Sequence, residues 1–133
     1  MDFDQLHKLC DLNYRNSHQR LATILERERA LRAELAKLRG HIEETRGLPA
    51  EHAQMRAVGA DIIWMRWVTT AQSRLNIELA QVLAQKEGHI AQHKRAFGKA
   101  QAAQSLAKAD KEKLARQRRD QALAQAISQS VMR

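Results

Sequence analysis

His89 and His93 stand four residues apart, a spacing that sets two imidazoles on one face of a helix and can chelate a transition metal. No HExxH pattern surrounds them and no third ligand is evident. The plainer expectation is two histidines flanking a helical seam, with no metal and no cofactor. Cys10 is the one cysteine; alone it makes neither an internal disulfide nor a cysteine-based zinc site, and it reads as an apolar seam residue in a reduced compartment. Gly40, Gly47, Gly59, Gly88 and Gly98 are isolated, which argues against a phosphate-cradling loop, and no Ser-His-Asp or Cys-His set follows from the spacing. The expectation is a protein that is not an enzyme.

Two other groups of residues point to recognition. Ile62-Ile63-Trp64-Met65-Arg66-Trp67-Val68 is the longest apolar cluster. On a helix Trp64, Val68, Ala71 and Leu75 share a seam, whereas Ile63, Arg66 and Trp67 fall off it, so the two indoles cannot both enter a two-helix seam. Trp67 is then either a partner-binding hot spot or a cap that packs on the Leu48–Val58 segment. The second group is Lys111, Lys113, Arg116, Arg118 and Arg119, cations on one stretch that would track phosphates or an acidic protein surface. Asp110, Glu112 and Asp120 interleave and no aromatic accompanies them, so a stacking platform for bases is missing.

These residues must be positioned by long helices. Ala (22), Leu (15), Glu (9) and Lys plus Arg (23) make up about half of 133 residues, with one Pro and five aromatics. An all-β sandwich and a mononucleotide-binding α/β domain are both improbable on that composition. The longest continuous apolar run is far short of the ~20 residues of a membrane span, and the acidic N-terminus does not read as an export signal. The expectation is a single soluble, cytoplasmic domain over 1–133.

A heptad frame places Phe3, Cys10, Ser17, Ile24, Leu31 and Leu38 in one seam position and His7, Tyr14, Leu21, Glu28, Leu35 and Ile42 in the other. Ser17 and Glu28 weaken it. A second stripe runs through Leu75, Leu79, Val82, Ile90, His93, Phe97, Ala100, Ala107 and Leu114, with drift near Lys86. Arg46-Gly47-Leu48-Pro49 interrupts the pattern; Ala50–Ala57 suits a short helical turn, and Asp61 is available to cap the next helix. Gly88 and Gly98, mid-helix, are points of close approach or tolerated losses of about 1 kcal/mol each relative to Ala.

The predicted fold is all-α: a long antiparallel two-helix coiled-coil hairpin with helix one over roughly 3–45, a tip at about 46–60 and helix two over roughly 61–130. At 1.5 Å per residue the helices span about 65 and 105 Å, so folding back at the tip brings Phe3 near residue 103 and leaves the rest as an overhang. That overhang is basic. Residues 1–45 balance in charge, while 104–133 carry +4 of the net +8.

A shorter first helix, aromatics opening the second, and a longer basic second helix together resemble the FliJ/YscO family of small flagellar and type III secretion export proteins. Ala60–Leu114 carries the resemblance, with Gln19–Ile42 as the opposing helix. Members are similar in shape to the coiled coil of the rotary ATPase γ subunit, sit in the pore of the hexameric export ATPase, and contact the export gate and substrate chaperones. The resemblance implies that Phe3, Leu6, Cys10, Leu106, Lys111, Leu114, Arg118 and Arg119 enter the ATPase ring. It implies that Leu38, Ile42, Trp67, Leu75 and Leu79 face the gate or a chaperone, with the protein peripheral to a membrane-embedded apparatus. The residues themselves leave two other readings open: a generic coiled-coil adaptor, monomeric or dimeric, and a basic helix that binds nucleic acid.

Overall fold

The computed structural model describes residues 2–46 and 59–132. Among these the chain forms two α-helices and no strand, α1 over Phe3–Arg46 and α2 over Ala60–Val131, packed against each other as a helical hairpin. Neither is long and apolar enough in any stretch to cross a membrane. The helical turn expected over 50–57 and the chain reversal itself lie outside the described residues.

Both N-termini are capped, though not equally as expected. The Asp2 carboxylate accepts from the Asp4 and Gln5 amides at 3.1 and 3.3 Å, satisfying donors that α1 cannot bond internally. At α2 the cap is Gly59 rather than Asp61. Its carbonyl accepts from the Ile62 and Ile63 amides at 3.1 and 3.2 Å, with φ at +76°, a backbone state that glycine adopts without strain. Asp61 lies two residues past that cap, in the first turn, where its carboxylate accepts from the Ile62 amide at 3.0 Å and the helix dipole favours its charge.

The packing divides into two units, Gln19–Ile90 and a terminal unit of Met1–His18 with Ala91–Arg133. The first holds the apolar core: Leu31, Leu35 and Leu38 of α1 against Val68, Leu75 and Val82 of α2, flanked by Ile24, Ile42, Trp64, Ala71 and Leu79. The spacings of three, four and seven residues are those of a coiled-coil seam. In the terminal unit the α2 seam is alanine, with Ala96, Ala100, Ala103 and Ala107 buried. Tyr14 meets Phe97 while Asp4, earlier in α1, meets Lys111, later in α2, as antiparallel helices require. All twelve expected α1 seam positions are buried or half-buried.

On α2 the stripe differs at two points, Phe97 and Leu114, both of which are exposed. Ala96 is buried while Phe97 is half exposed and lies against Tyr14, because only a methyl fits where the seam is closed. The expected weak points turn out to be partners. Glu28 is 9% exposed and accepts a hydrogen bond from Lys86 Nζ at 2.9 Å, with Arg32 Nε at 3.9 Å. Lys86 therefore belongs to the seam. Its hydrogen bond, backed by the positive fields of Lys86, Arg32 and Arg29, holds the Glu28 carboxyl below the usual carboxylate range against the desolvation that raises it.

A depressed folded-state value means that stability from this carboxylate is present above the ordinary carboxylate range and is lost as pH falls through the folded one. Glu28→Gln should accordingly melt lower than the parent at pH 7 and lose less Tm between pH 7 and 3. Parallel losses in circular-dichroism melts would show that the pair contributes nothing. A Cβ added at Gly88 or Gly98 meets no atom within 4 Å. Neither is a close-approach point, and Gly88→Ala and Gly98→Ala should each raise stability in urea by about 0.5–1 kcal/mol.

Candidate functional site

The terminal unit departs from a simple hairpin where α1 ends. Asp4 lies 3.6 Å from Lys111, so the N-terminus of α1 reaches about two turns further along α2 than residue 103. Longer pairing shortens the overhang. Ala107 is the last buried residue, and from Lys108 to Met132 every residue is exposed save half-buried Asp110. This stretch remains helical to Val131 because its Ala, Leu, Gln, Lys and Arg are strong helix formers.

The exposed stretch has two chemistries in sequence. Lys108 to Asp120 carries Lys108, Lys111, Lys113, Arg116, Arg118 and Arg119 against Asp110, Glu112 and Asp120. Among the described residues only Lys111 of these cations has an ion-pair partner, leaving the others free for an external anion. Gln121 to Met132 carries no charge at all. Within it Leu123, Ile127 and Val131 recur every four residues, exposed at 61%, 56% and 80%, and so form one apolar ridge on the helix. The terminal unit as a whole has twelve Lys and Arg against six Asp and Glu, +6 of the chain's +8.

Of the residues assigned to the terminal end, Leu106, Lys111, Leu114, Arg118 and Arg119 are exposed on α2, and Phe3, Leu6 and Cys10 are half-buried on α1. The second group does not form one surface. Leu38 and Leu75 are buried in the hairpin core, and Ile42 and Leu79 pack against it, so their side chains already hold the two helices together. Of these five, Trp67 alone is exposed, at 58%. Trp64 turns inward onto the core and Trp67 stacks on its outer face, ring centres 5.3 Å apart and 23° from parallel. The Trp64 indole nitrogen is buried without a hydrogen-bond partner among the described residues. The Leu48–Val58 segment, against which Trp67 was the alternative cap, lies outside the described residues.

Sequence reasoning missed one cluster in the terminal unit. Tyr14, Ser17 and His18 of α1 gather around His93 and Phe97 of α2, with Tyr14 stacked on His93 at 5.1 Å and Ser17 Oγ 3.2 Å from His93 Nδ1. Its signal was the pair of polar seam positions, Ser17 and His93, one in each stripe. Comparison of the chain with family models, curated proteins and solved structures finds no match.

The two indoles should report their different settings separately. With Trp64→Phe, the remaining Trp67 should emit at long wavelength and be quenched readily by iodide; with Trp67→Phe, Trp64 should emit to the blue and be protected severalfold. Equal quenching in the two variants would contradict the inward and outward assignment.

Proposed function

We propose that this chain is a non-catalytic coiled-coil stalk of a flagellar or other type III protein export apparatus, inserting its terminal unit into the pore of the hexameric export ATPase. The observation that carries the reading is the α2 stretch from Lys108 to Met132, exposed but for half-buried Asp110, a preformed helix whose cations, Lys111 apart, have no ion-pair partner among the described residues and are followed by an uncharged apolar ridge. A shaft of that kind gains electrostatic attraction from an acidic or polar ring lining, and the gain falls with salt. The ridge of Leu123, Ile127 and Val131 would supply the apolar contact that charge alone does not.

Contacts to the export gate or a chaperone fall to Trp67 and its exposed neighbours Ile62, Ile63 and Met65 rather than to the core leucines, since exposed tryptophan carries disproportionate interface energy. The protein would act at the cytoplasmic side of the secretion apparatus, and neither described helix is long and apolar enough to cross a membrane. It would promote ring assembly or ATP turnover by contact, binding no nucleotide. The proportions of α1 and α2 agree with the family resemblance. Interleaved Asp110, Glu112 and Asp120 weaken a nucleic-acid reading, because each carboxylate repels the phosphates that its neighbours would bind.

The test is the hydrolysis rate and oligomeric state of the export ATPase from the same organism, with and without this protein, at near-physiological salt. Stimulation together with ring formation is expected, weakening as salt is raised. A chain ending after Lys113 keeps the buried alanine seam and the Asp4–Lys111 pair; it should keep its helical content per residue and lose the stimulation. No effect of the full chain on a competent ATPase would overturn the proposal, and a salt-dependent RNA or DNA titration would then separate nucleic-acid binding from an adaptor role.

A further inference from the structure

The distances in the cluster around His93 favour one placement of its protons. A serine hydroxyl carries one proton, and Ser17 donates it to the Tyr14 carbonyl at 2.7 Å. With that proton on the shorter contact, the second contact of Ser17 Oγ, 3.2 Å from His93 Nδ1, is one in which the ring nitrogen donates. Neutral His93 then holds its proton on Nδ1 and its lone pair on Nε2. This is the arrangement of a metal-binding histidine, one nitrogen tied back by a hydrogen bond and the other free. Tyr14, stacked 26° from parallel on the same imidazole, fixes the ring plane.

His18 stands beside it, ring centres 5.4 Å apart and planes 41° to each other. Two imidazoles bound to one tetrahedral ion, each with a metal–nitrogen bond of about 2.0–2.1 Å, have ring centres about 5 Å apart. The observed separation is close to that. His18 is exposed and belongs to the same terminal unit, so its side chain has room to turn a nitrogen toward His93.

We infer that His18 and His93 form a two-histidine site for a divalent transition ion of the zinc, nickel and copper class, clipping α1 to α2, with Ser17 as its positioning residue. Imidazole ligands select this class over magnesium and calcium, which take oxygen. Among the described residues no group of three or more metal-ligating side chains occurs, so water completes the coordination shell. The surrounding excess of Lys and Arg repels a cation, and added salt, by screening that field, tightens binding. The site stands apart from the docking stretch at Lys108–Met132 and is independent of the export reading.

The experiment uses the full chain with NiCl2 and ZnCl2 in calorimetry, and CuCl2 in electron paramagnetic resonance, where nitrogen splitting counts the imidazoles bound. Expected are saturable uptake of about one equivalent, a raised Tm in excess metal, and two nitrogens on copper. His18→Ala and His93→Ala should each weaken nickel binding about tenfold or more and leave a one-nitrogen copper signal; His89→Ala should bind as the parent does. Ser17→Ala should weaken binding about tenfold while keeping two nitrogens and unchanged helicity. Full binding by His18→Ala with loss in His89→Ala would assign the ion to the pair four residues apart on α2 and overturn the inference. Failure of the parent to take up any of the three ions saturably would overturn it as well.

Discussion

A hairpin of two helices has one narrow stripe on each helix to bury, and everything else on either surface faces water. Register is the exposed weakness of such a fold, because any shift by a heptad still lays apolar residues on apolar residues. The Glu28–Lys86 pair removes that freedom in the Gln19–Ile90 unit. A carboxylate that is nearly buried must keep its cation, and a shift of α2 by one heptad would set Glu28 against another seam residue and strand both charges. Arg27 adds a second cross-helix pair to Glu78 at 2.8 Å, more exposed and so weaker. The apolar layers of Leu31, Leu35 and Leu38 supply most of the attraction, and the ion pair decides which layers meet.

The terminal unit solves the same problem with different material. Its α2 seam is alanine, which buries a fraction of the apolar area that leucine does. Less burial means lower local stability and earlier opening than in the leucine core. Ser17 and His93 do here what Glu28 and Lys86 do there, joining a polar position of one stripe to a polar position of the other, and Tyr14 covers the junction. His7, whose Nδ1 is buried without a partner among the described residues, is a further polar group in this seam.

How much of this was legible in the sequence depends on what periodicity can encode. The α1 heptad was complete in the residues, and so was the division of labour between Trp64 and Trp67, because both follow from the angle between positions on one helix. Pairing between helices was not. Which residue of α1 faces which of α2 depends on contacts between two stripes that periodicity reads one at a time, so residue 103 is the expected neighbour of the N-terminus and Lys111 the observed one. The same gap hid Glu28–Lys86 and Ser17–His93, each read as an isolated flaw. Phe97 was placed in the seam by hydrophobicity and displaced from it by size, with Ala96 taking the closed position. Of the candidate contact residues, those toward the end of α2 had their exposure legible in the sequence, because α1 is too short to cover them. Leu38 and Leu75 were not, since a seam leucine and an interface leucine look alike until a partner helix is seen to cover one.

The free end of α2 has physical meaning beyond its exposure. A helix without tertiary packing is marginal in water, and most such segments would order only on binding, at an entropic cost drawn from the affinity. Lys108–Val131 escapes much of that cost in two ways. It continues a helix already nucleated by the hairpin, so no new nucleus is needed, and its residues are among the strongest helix formers. Its cations and its apolar ridge are thus presented on a preorganised rod, where each contact made adds to affinity with little ordering left to offset it. The charged part precedes the apolar part along the chain, so long-range attraction and short-range packing act on different turns of the same helix. The cations act over the longer distance and Leu123, Ile127 and Val131 only in contact, so the two parts of the rod would come into play at different separations from any docking surface.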